Sequence, residues 1–463
     1  MRRLLPRDNR TDNYIPLLLL HVLIGFLIYL HRPLSMLYFV VVLFYFLWHI
    51  IVSPDSKKTM YVLLGCAYIV GGEVFLRMTK GYFFYETGKY FVLLFMLMGI
   101  FYKGISGKAY PYFFYLILLV PAILVASSTL SFDANFRTNV TFVLSGPVCL
   151  GIAALFCYDR KISHQELLTI LLYLLLPILS MTVYLYLYNP SIKETISNTA
   201  SNPATSGGFG PNQVSTALGM GMFAIVVRIY LQSPTFLLKV LNILIFAAIT
   251  FRAIITFSRG GVFAAIIVVL AFLGILFLKS NYKVKNQIIG STVIFLFAIA
   301  FTWIIGSMQT GGLLDKRYAN EDALGREKGD VTTGRGELFM EEMDGFLQDP
   351  LLGIGASRTK NIRVITTGEH LPTHNEVGRL LGEHGMFGIV ILLILMIKPL
   401  AYRSTNPHNY YFYAFYCFWF ATINHSAMRI AAPALFYALA LLNITDVRKK
   451  RFIHRKQFVQ QQN

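Results

Sequence analysis

The sequence predicts an all-α protein that crosses a membrane many times and carries one large loop outside the cytoplasm. Hydrophobic residues make up 56% of the 463 residues, the mean hydropathy is +0.58, and only 14% of residues are charged, against about 25% in an ordinary soluble domain. The apolar runs are continuous rather than alternating. Because a lipid environment requires each segment to satisfy its own backbone groups, such runs indicate helices rather than barrel strands.

Fourteen apolar runs approach or reach the length of about 20 residues that a helix needs to cross a hydrocarbon core of about 30 Å. We predict about 14 transmembrane helices, within a range of 12–14, because the fourth run is short and the last two can be divided differently. The first run lacks a small-residue cleavage pattern and is therefore predicted to be a retained span rather than a signal peptide. The runs cover residues 14–30, 33–52, 60–77, 89–102, 110–130, 140–157, 166–188, 211–231, 235–255, 260–278, 286–307, 376–397, 408–424 and 427–445.

Lys and Arg concentrate in alternate short loops, which predicts that both termini are cytoplasmic. With fourteen spans, the basic loop residues fall on one side, among them Lys57, Lys103, Arg160 and Lys279. The net charge of +18 is then explained by a basic cytoplasmic rim that meets anionic membrane lipids, and no nucleic acid is expected as a partner. We therefore expect a multi-pass membrane protein with both termini in the cytoplasm.

The predicted spans divide the chain into four parts. Residues 1–306 hold the first eleven helices, 307–375 form the large extracytoplasmic loop, 376–445 hold the last three helices, and 446–463 are a basic cytoplasmic tail. The loop contains 11 acidic and 8 basic residues in 307–373. A long loop of mixed charge favours a folded or substrate-facing segment over a polybasic tail.

An amphipathic helix is predicted inside this loop at residues 333–349, lying against the membrane domain. Its apolar residues share one face at helical spacing, and Pro350 ends it. These residues are Leu338, Phe339, Met343, Phe346 and Leu347. All four cysteines lie inside predicted spans, so neither a disulfide nor cysteine chemistry is expected.

Arg259 lies at the midpoint of a largely apolar run, residues 236–278. That run is about 65 Å long as a helix and therefore makes two crossings joined by a tight turn. Arg259 can simply extend to the lipid headgroups, but Gly260 and Gly261 allow another group to approach the backbone closely. Arg252, about two turns away, adds a second cation, which has to face the protein interior.

Arg335 is predicted to lie in the first turn of the loop helix, with Thr333 as its N-cap. A cation is poorly placed at this helix end, because the end already carries partial positive charge. An anion bound by Arg335 and the free backbone N–H groups would remove the mismatch. The alternative is a solvated surface charge of little energetic consequence.

His374 is predicted to open the next span within the motif Thr373-His374-Asn375-Glu376, which fits a capping box with Thr373 as N-cap and Glu376 reaching back to it. At the first helical position the helix dipole favours a neutral imidazole, the form that can accept a proton. The alternative is an interfacial residue without a chemical role. His374 with Glu369 and His370 lacks zinc spacing, so neither a metal nor another cofactor is expected.

The order of the motifs resembles that of the bacterial O-antigen ligase and O-antigen polymerase family, membrane glycosyltransferases of the GT-C type. The motifs are Gly210-Pro211-Asn212, Ser258-Arg259-Gly260, Thr333-Gly334-Arg335, Pro350-Leu351-Leu352-Gly353-Ile354-Gly355, His374-Asn375-Glu376 and Glu383-His384-Gly385-Met386-Phe387-Gly388. The resemblance implies transfer of a glycan from an undecaprenyl-diphosphate carrier to an acceptor sugar hydroxyl, on lipid A-core or on a lipid-linked repeat, in surface polysaccharide biosynthesis. It also implies a multi-pass protein of the bacterial cytoplasmic (inner) membrane that acts at the outer face of that membrane.

The resemblance also implies roles for particular residues. Arg259 and Arg335 match the two arginines that bind the carrier diphosphate, and His374 matches the histidine near the acceptor. Arg252, Asn212, Asn375 and Glu376 are further candidates for substrate binding. Fourteen spans exceed the family's usual number of about twelve, and the intramembrane residues Glu73 and Arg77 receive no role from the family.

Three functional hypotheses stay open at this point. The first is an enzyme, either a ligase or a polymerase, in which guanidinium groups stabilise the leaving diphosphate and a histidine takes the acceptor proton. The second is a transporter or flippase of lipid-linked oligosaccharides, which predicts charges in a central cavity and repeat symmetry between the halves. The third is a scaffolding protein, which needs no special placement of cations in the outer loop.

Overall fold

The computed structural model describes residues 13–445 except 190, 197, 331, 333, 369, 370 and 372. The tail at 446–463 therefore lies outside the described residues. The helices are α1 (Tyr14–Leu30), α2 (Leu34–Val52), α3 (Asp55–Met78), α4 (Thr87–Lys103), α5 (Tyr110–Leu118), α6 (Val120–Thr129), α7 (Phe136–Cys157), α8 (His164–Tyr188), α9 (Ile192–Thr195), α10 (Pro211–Leu231), α11 (Phe236–Ile255), α12 (Arg259–Leu278), α13 (Tyr282–Gln309), α14 (Leu313–Tyr318), α15 (Arg335–Gln348), α16 (Arg358–Thr367), α17 (Glu376–Thr405), α18 (Phe412–Ser426) and α19 (Ala432–Ala440). Short 3-10 turns lie at Gly107–Ala109 and Pro203–Ser206.

The fold is helical apart from one short pair of strands, which the sequence did not predict. Strands β1 (Lys161–Ser163) and β2 (Asn443–Thr445) run parallel, with Ile162 opposite Ile444. They follow α7 and α19, which pack against each other. The two chain segments therefore leave the helices side by side, and their backbone groups pair with each other.

Each predicted apolar run contains helix, and ten helical segments of the described chain are long and apolar enough to cross a membrane by length and composition. The count of fourteen stays a prediction. The run 427–445 is not one helix: it begins with a non-helical turn at 427–431, continues as the nine residues of α19, and ends in β2. At 1.5 Å per residue α19 is about 13 Å long, too short to cross alone.

The centre of the protein is a set of closely packed helices. α3 packs against α8, α10 packs against α11 and α12, and α18 packs against α12 and α19. Gly219 of α10 lies against Ala265 and the Gly261 carbonyl of α12, so that even a Cβ there would make the neighbouring atoms shift slightly. Small residues at helix crossings let backbones approach closely in this way.

Helix α17 contains a break at Gly385, where φ is 57° and ψ is −135°. The segment after α15 docks into this break: Met386 N donates to the Pro350 carbonyl (2.8 Å), and Ile354 N donates to the Gly382 carbonyl (3.0 Å). Gly353 fits there because a Cβ would collide with the backbone of Glu383. Two of the motifs that carry the family resemblance, at 350–355 and 383–388, therefore serve to lock the loop onto α17.

Helix α15 confirms that the loop contains a helix, and it packs against α17. It covers Arg335–Gln348, with Gly334 rather than Thr333 as the residue before its first turn; Thr333 itself lies outside the described residues. The fully buried positions are Glu342 and Gly345. Leu347 is 72% exposed, so its assignment to the buried face was wrong; Gly345 contacts Ile354 and lies close to Gly382 instead.

The predicted orientation can be tested by labelling single cysteines with a membrane-impermeant thiol reagent. Gly311→Cys lies at an exposed position before α14, in the predicted outer loop, and Lys279→Cys lies at an exposed position between α12 and α13, on the predicted cytoplasmic side. In a Cys417→Ser background, which removes the one native thiol that is not buried, we expect labelling of the first variant in intact spheroplasts and of the second only after lysis. The reverse pattern would contradict the orientation.

Candidate functional site

Four arginines from different elements form a cluster in which Arg335 lies within electrostatic reach of each of the other three. Arg259 begins α12, Arg317 lies in α14, Arg335 begins α15, and Arg429 lies in the turn between α18 and α19. Burial and the charge of Arg259 lower the pKa of Arg335, and burial with the charges of Arg259 and Arg335 lowers the pKa of Arg317 to about 10. Arg335 also repels Arg429. At neutral pH these groups stay charged, so a bound anion would relieve the repulsion.

The turn that presents Arg259 is held from two sides. The Ser258 hydroxyl donates to the side-chain oxygen of Asn212 in α10 (2.8 Å). Phe257 has a positive φ of 57°, and its carbonyl accepts from Nε of Arg317 (3.1 Å). Asn212, predicted as a substrate-binding residue, therefore positions the residue next to Arg259.

The two glycines after Arg259 allow close approach, as the sequence predicted, but the approaching groups come from neighbouring helices. A Cβ on Gly260 would collide with Nδ1 of His425, and one on Gly261 would collide with the Ser215 hydroxyl. His425 lies near the end of α18, and its Nε2 forms a hydrogen bond with the Thr216 hydroxyl (3.3 Å). Glycine at 260 therefore brings His425 next to the start of α12.

The capping box predicted at Thr373 is wrong, because Asn375 takes the cap. Helix α17 begins at Glu376, and the Asn375 side chain accepts from the N–H groups of Val377 (2.8 Å) and Gly378 (3.2 Å). Glu376 is buried and forms an ion pair with Arg379. The Thr373 hydroxyl donates instead to Glu342 of α15. Asn375 and Glu376, predicted as substrate-binding residues, therefore both have structural partners.

His374 lies just before α17 and not at its first helical position. Its carbonyl accepts from the Ala427 N–H (3.0 Å), and the carbonyl of Thr373 accepts from Nη2 of Arg429 (2.6 Å). His374 interacts electrostatically with His425, on which Arg335 and Arg429 also act. The structure thus brings Arg259, Arg335 and His374 into one basic cluster.

Arg252 is buried, as predicted, but its contacts lie at another helix end. Its guanidinium donates to the carbonyls of Leu185 and Asn189 at the end of α8, and it packs 5.0 Å from the centre of the Tyr186 ring. A cation at a helix C-terminus satisfies free carbonyls and complements the dipole. These contacts give the buried charge of Arg252 a structural role at the end of α8. Arg252 is therefore not included among the residues proposed to bind substrate.

Three members of the cluster were not selected from the sequence: Arg317, Arg429 and His425. Arg317 was one of several charges in a mixed loop, without distinctive spacing. Arg429 and His425 stand in an otherwise apolar region, and an ionisable residue at such a place is a functional hypothesis by default. Their presence near the ends of two predicted spans was the signal that could have identified them.

Glu342 of α15 is fully buried next to Thr373, and burial, with the nearby charge of Glu383, raises its pKa to about 9. The folded protein therefore favours the protonated carboxyl, and folding becomes less favourable as pH rises from about 4.5 towards 9.

Glu342→Gln carries no titratable group at this position, so its folding free energy does not include the cost of protonating a carboxyl as pH rises. We expect its melting temperature to exceed that of the wild type by a margin that grows between about pH 5 and pH 9. Glu337→Gln, an exposed change on the same helix, is the control; an equal difference at both pH values would contradict the protonated state.

In the described part of the chain, no group of three or more His, Cys, Asp or Glu residues is placed to hold a metal ion. Glu369 and His370, which with His374 formed the weak metal grouping in the sequence, lie outside the described residues. The cysteines at 66, 149, 157 and 417 are free thiols.

Residues 243–393 match a family model described as O-antigen ligase. The matched segment begins in α11, ends within α17, and contains Arg259, Arg335 and His374. Comparisons with curated proteins and with solved structures find no match. Residues 1–242 and 394–463 lie outside the matched segment, and Arg429 and His425 are among them.

Proposed function

We propose that this chain, whose residues 243–393 match a family model described as O-antigen ligase, transfers a glycan from an undecaprenyl-diphosphate carrier to an acceptor sugar hydroxyl. The reaction takes place at the outer face of a bacterial cytoplasmic membrane. The family implies a ligase or polymerase activity in polysaccharide biosynthesis. The observation that supports this particular reaction is the cluster of arginines beside His374, because a diphosphate-linked donor needs cationic groups and an acceptor hydroxyl needs a base.

Arg259 and Arg335 are proposed to bind the diphosphate. Each lies at the first position of a helix, α12 and α15, so that free backbone N–H groups and the helix dipole act on an anion together with the guanidinium. As the bond between the sugar and the diphosphate breaks, its electron pair leaves with the diphosphate. Positioned guanidinium groups stabilise that charge without having to reorganise during the reaction.

His374 is proposed to accept the proton of the attacking hydroxyl. The acceptor oxygen forms the new bond to the anomeric carbon while its proton moves to the neutral imidazole. The hydrogen bond from the Ala427 N–H to its carbonyl holds the backbone of His374 against the turn after α18. This hypothesis needs no cofactor from the protein, since the donor's diphosphate linkage already carries the energy for transfer.

The charged groups within the helices support an enzyme over a transporter. Arg77 pairs with Glu73 in α3 (2.5 Å), Arg379 pairs with Glu376 and Glu383 in α17, and these side chains are at most 3% exposed. Each of these arginines therefore has its carboxylate partners within its own helix. A transporter of lipid-linked oligosaccharides would instead be expected to present charges to a central cavity.

Purified protein with a lipid-linked donor and a defined acceptor tests the proposal. We expect transfer without nucleotide sugar or ATP and in excess EDTA, because the arginines fill the place that a divalent metal occupies in other glycosyltransferases. Loss of activity in EDTA and its recovery with Mg²⁺ or Mn²⁺ would contradict the arginine role. Using lipid A-core and a lipid-linked repeat as alternative acceptors separates a ligase from a polymerase.

The same distinction can be made in a deletion strain. A missing polymerase is expected to leave glycan capped with a single repeat, whereas a missing ligase is expected to leave carrier-linked polymer. An unchanged glycan profile, with every transfer step intact, would contradict both.

A further inference from the structure

The turn at 427–431 (the 427–431 turn) is tied directly to the segment that carries His374. It interrupts the helical path between α18 and α19, beginning at Ala427 with a positive φ of 50°. Two hydrogen bonds join it to residues 373 and 374: Ala427 N–H to the His374 carbonyl (3.0 Å) and Arg429 Nη2 to the Thr373 carbonyl (2.6 Å). These two bonds hold the 427–431 turn against the segment that carries His374.

The other side of the 427–431 turn is held by an ion pair of α3, about 350 positions earlier in the chain. Nη1 of Arg77 donates to the Arg429 carbonyl (3.1 Å), and the Ala431 N–H donates to the Glu73 carboxylate (2.7 Å). Arg77 also donates to the side-chain oxygen of Gln213 (2.9 Å). Glu73 is 0% and Arg77 7% exposed. A buried pair is costly unless its remaining hydrogen-bonding groups find partners, and here the 427–431 turn supplies one partner to Nη1 of Arg77 and one to the Glu73 carboxylate.

This arrangement puts the guanidinium of Arg429 next to the proposed diphosphate site. Arg429 is partly buried and its charge repels that of Arg335. It also interacts electrostatically with His425, which interacts in the same way with His374. Its backbone is held by Arg77, whose Nη1 donates to the Arg429 carbonyl. A second guanidinium kept this close to Arg335 suits a ligand that carries more than one negative charge.

Resting on the proposed function, we propose that Arg429 is a further phosphate-binding residue of this site and that Glu73 and Arg77 are positioning residues that hold it there. Arg429 would act on the diphosphate together with Arg259 and Arg335. This assigns a role to α3, in the part of the chain that lies outside the matched segment.

The first test measures binding of undecaprenyl diphosphate to purified full-length protein in detergent. Arg429→Gln removes the charge but keeps a donor for the Thr373 carbonyl, so the turn can stay in place. We expect its affinity to fall at least about tenfold, while Arg137→Gln, which changes an exposed arginine at the start of α7, binds like the wild type. Wild-type affinity of Arg429→Gln alongside weakened Arg259→Ala would overturn the role of Arg429 and leave the proposed function standing; no loss in either would overturn both.

A second measurement needs no variant and therefore no assumption about folding. Wild-type protein is treated with the arginine reagent phenylglyoxal with and without undecaprenyl diphosphate, and modification is mapped by mass spectrometry. We expect the ligand to protect Arg429 and not Arg137. Equal modification of Arg429 under both conditions would overturn its role.

The positioning role of α3 is tested by a double-mutant cycle. Glu73→Gln should weaken undecaprenyl diphosphate binding in the wild-type background and have little further effect in the Arg429→Gln background, because both changes act through the same guanidinium. Additive losses would show that Glu73 supports the fold generally and does not act through Arg429.

Discussion

Replacing Arg259 or Arg335 with alanine is expected to reduce glycan transfer to background. Both residues begin helices, and both contribute to the charge of one cluster, so each removal takes away a guanidinium that we propose binds the leaving diphosphate. Lysine restores the charge but not the planar fork of donors. We therefore expect Arg259→Lys and Arg335→Lys to lose at least about tenfold in transfer, about 1.4 kcal/mol of transition-state stabilisation.

The matched control is Arg326→Ala, in the same loop as Arg335. Arg326 is 74% exposed in its side chain and pairs with Asp322, and exposed pairs of this kind contribute little to stability. Transfer is measured in vitro at equal protein concentration, and the amount of each variant in the membrane is measured alongside. Full activity of Arg259→Ala or Arg335→Ala would exclude that residue from the diphosphate site.

Replacing His374 with alanine is expected to abolish transfer while undecaprenyl diphosphate still binds. The helix that follows keeps its cap, because the cap is the Asn375 side chain and not His374. The contacts of His374 with the 427–431 turn run through its carbonyl, which alanine retains. The expected result is therefore a loss of turnover with donor affinity preserved.

His408→Ala, an exposed change between α17 and α18, serves as the control for the histidine experiment. A drop in donor binding by His374→Ala would place the imidazole on the donor side of the site rather than at the acceptor. If the variant failed to accumulate in the membrane although the cap is intact, His374 would have a structural role only.

The amino-acid sequence by itself determined the helical membrane class, the position of nearly every helix, and three residues of the cluster. These are local properties: a span is a continuous run of apolar residues, and Arg259, Arg335 and His374 each stand next to a polar break in such runs. The resemblance that the motif order indicated is confirmed by the match over 243–393. The extracytoplasmic placement of the loop stays a prediction of the positive-inside rule.

The tertiary structure alone decided how these residues are supported. The cap at Asn375 prevailed over the motif at Thr373 because Glu342 of α15 accepts from the Thr373 hydroxyl, a contact that spacing cannot reveal. The short β1–β2 pair and the docking of Pro350 at Gly385 are likewise contacts between distant segments.

Arg429 shows the same limit most clearly. In the sequence it is one charge in an apolar run, whereas its place in the protein depends on Glu73 and Arg77. The hydrogen bond from the Ala431 N–H to Glu73 joins residues 358 positions apart. Helix formation is set by neighbours in the chain, but the grouping of cations against their mutual repulsion depends on packing among α3, α12, α15 and α18, and only the folded chain contains that information.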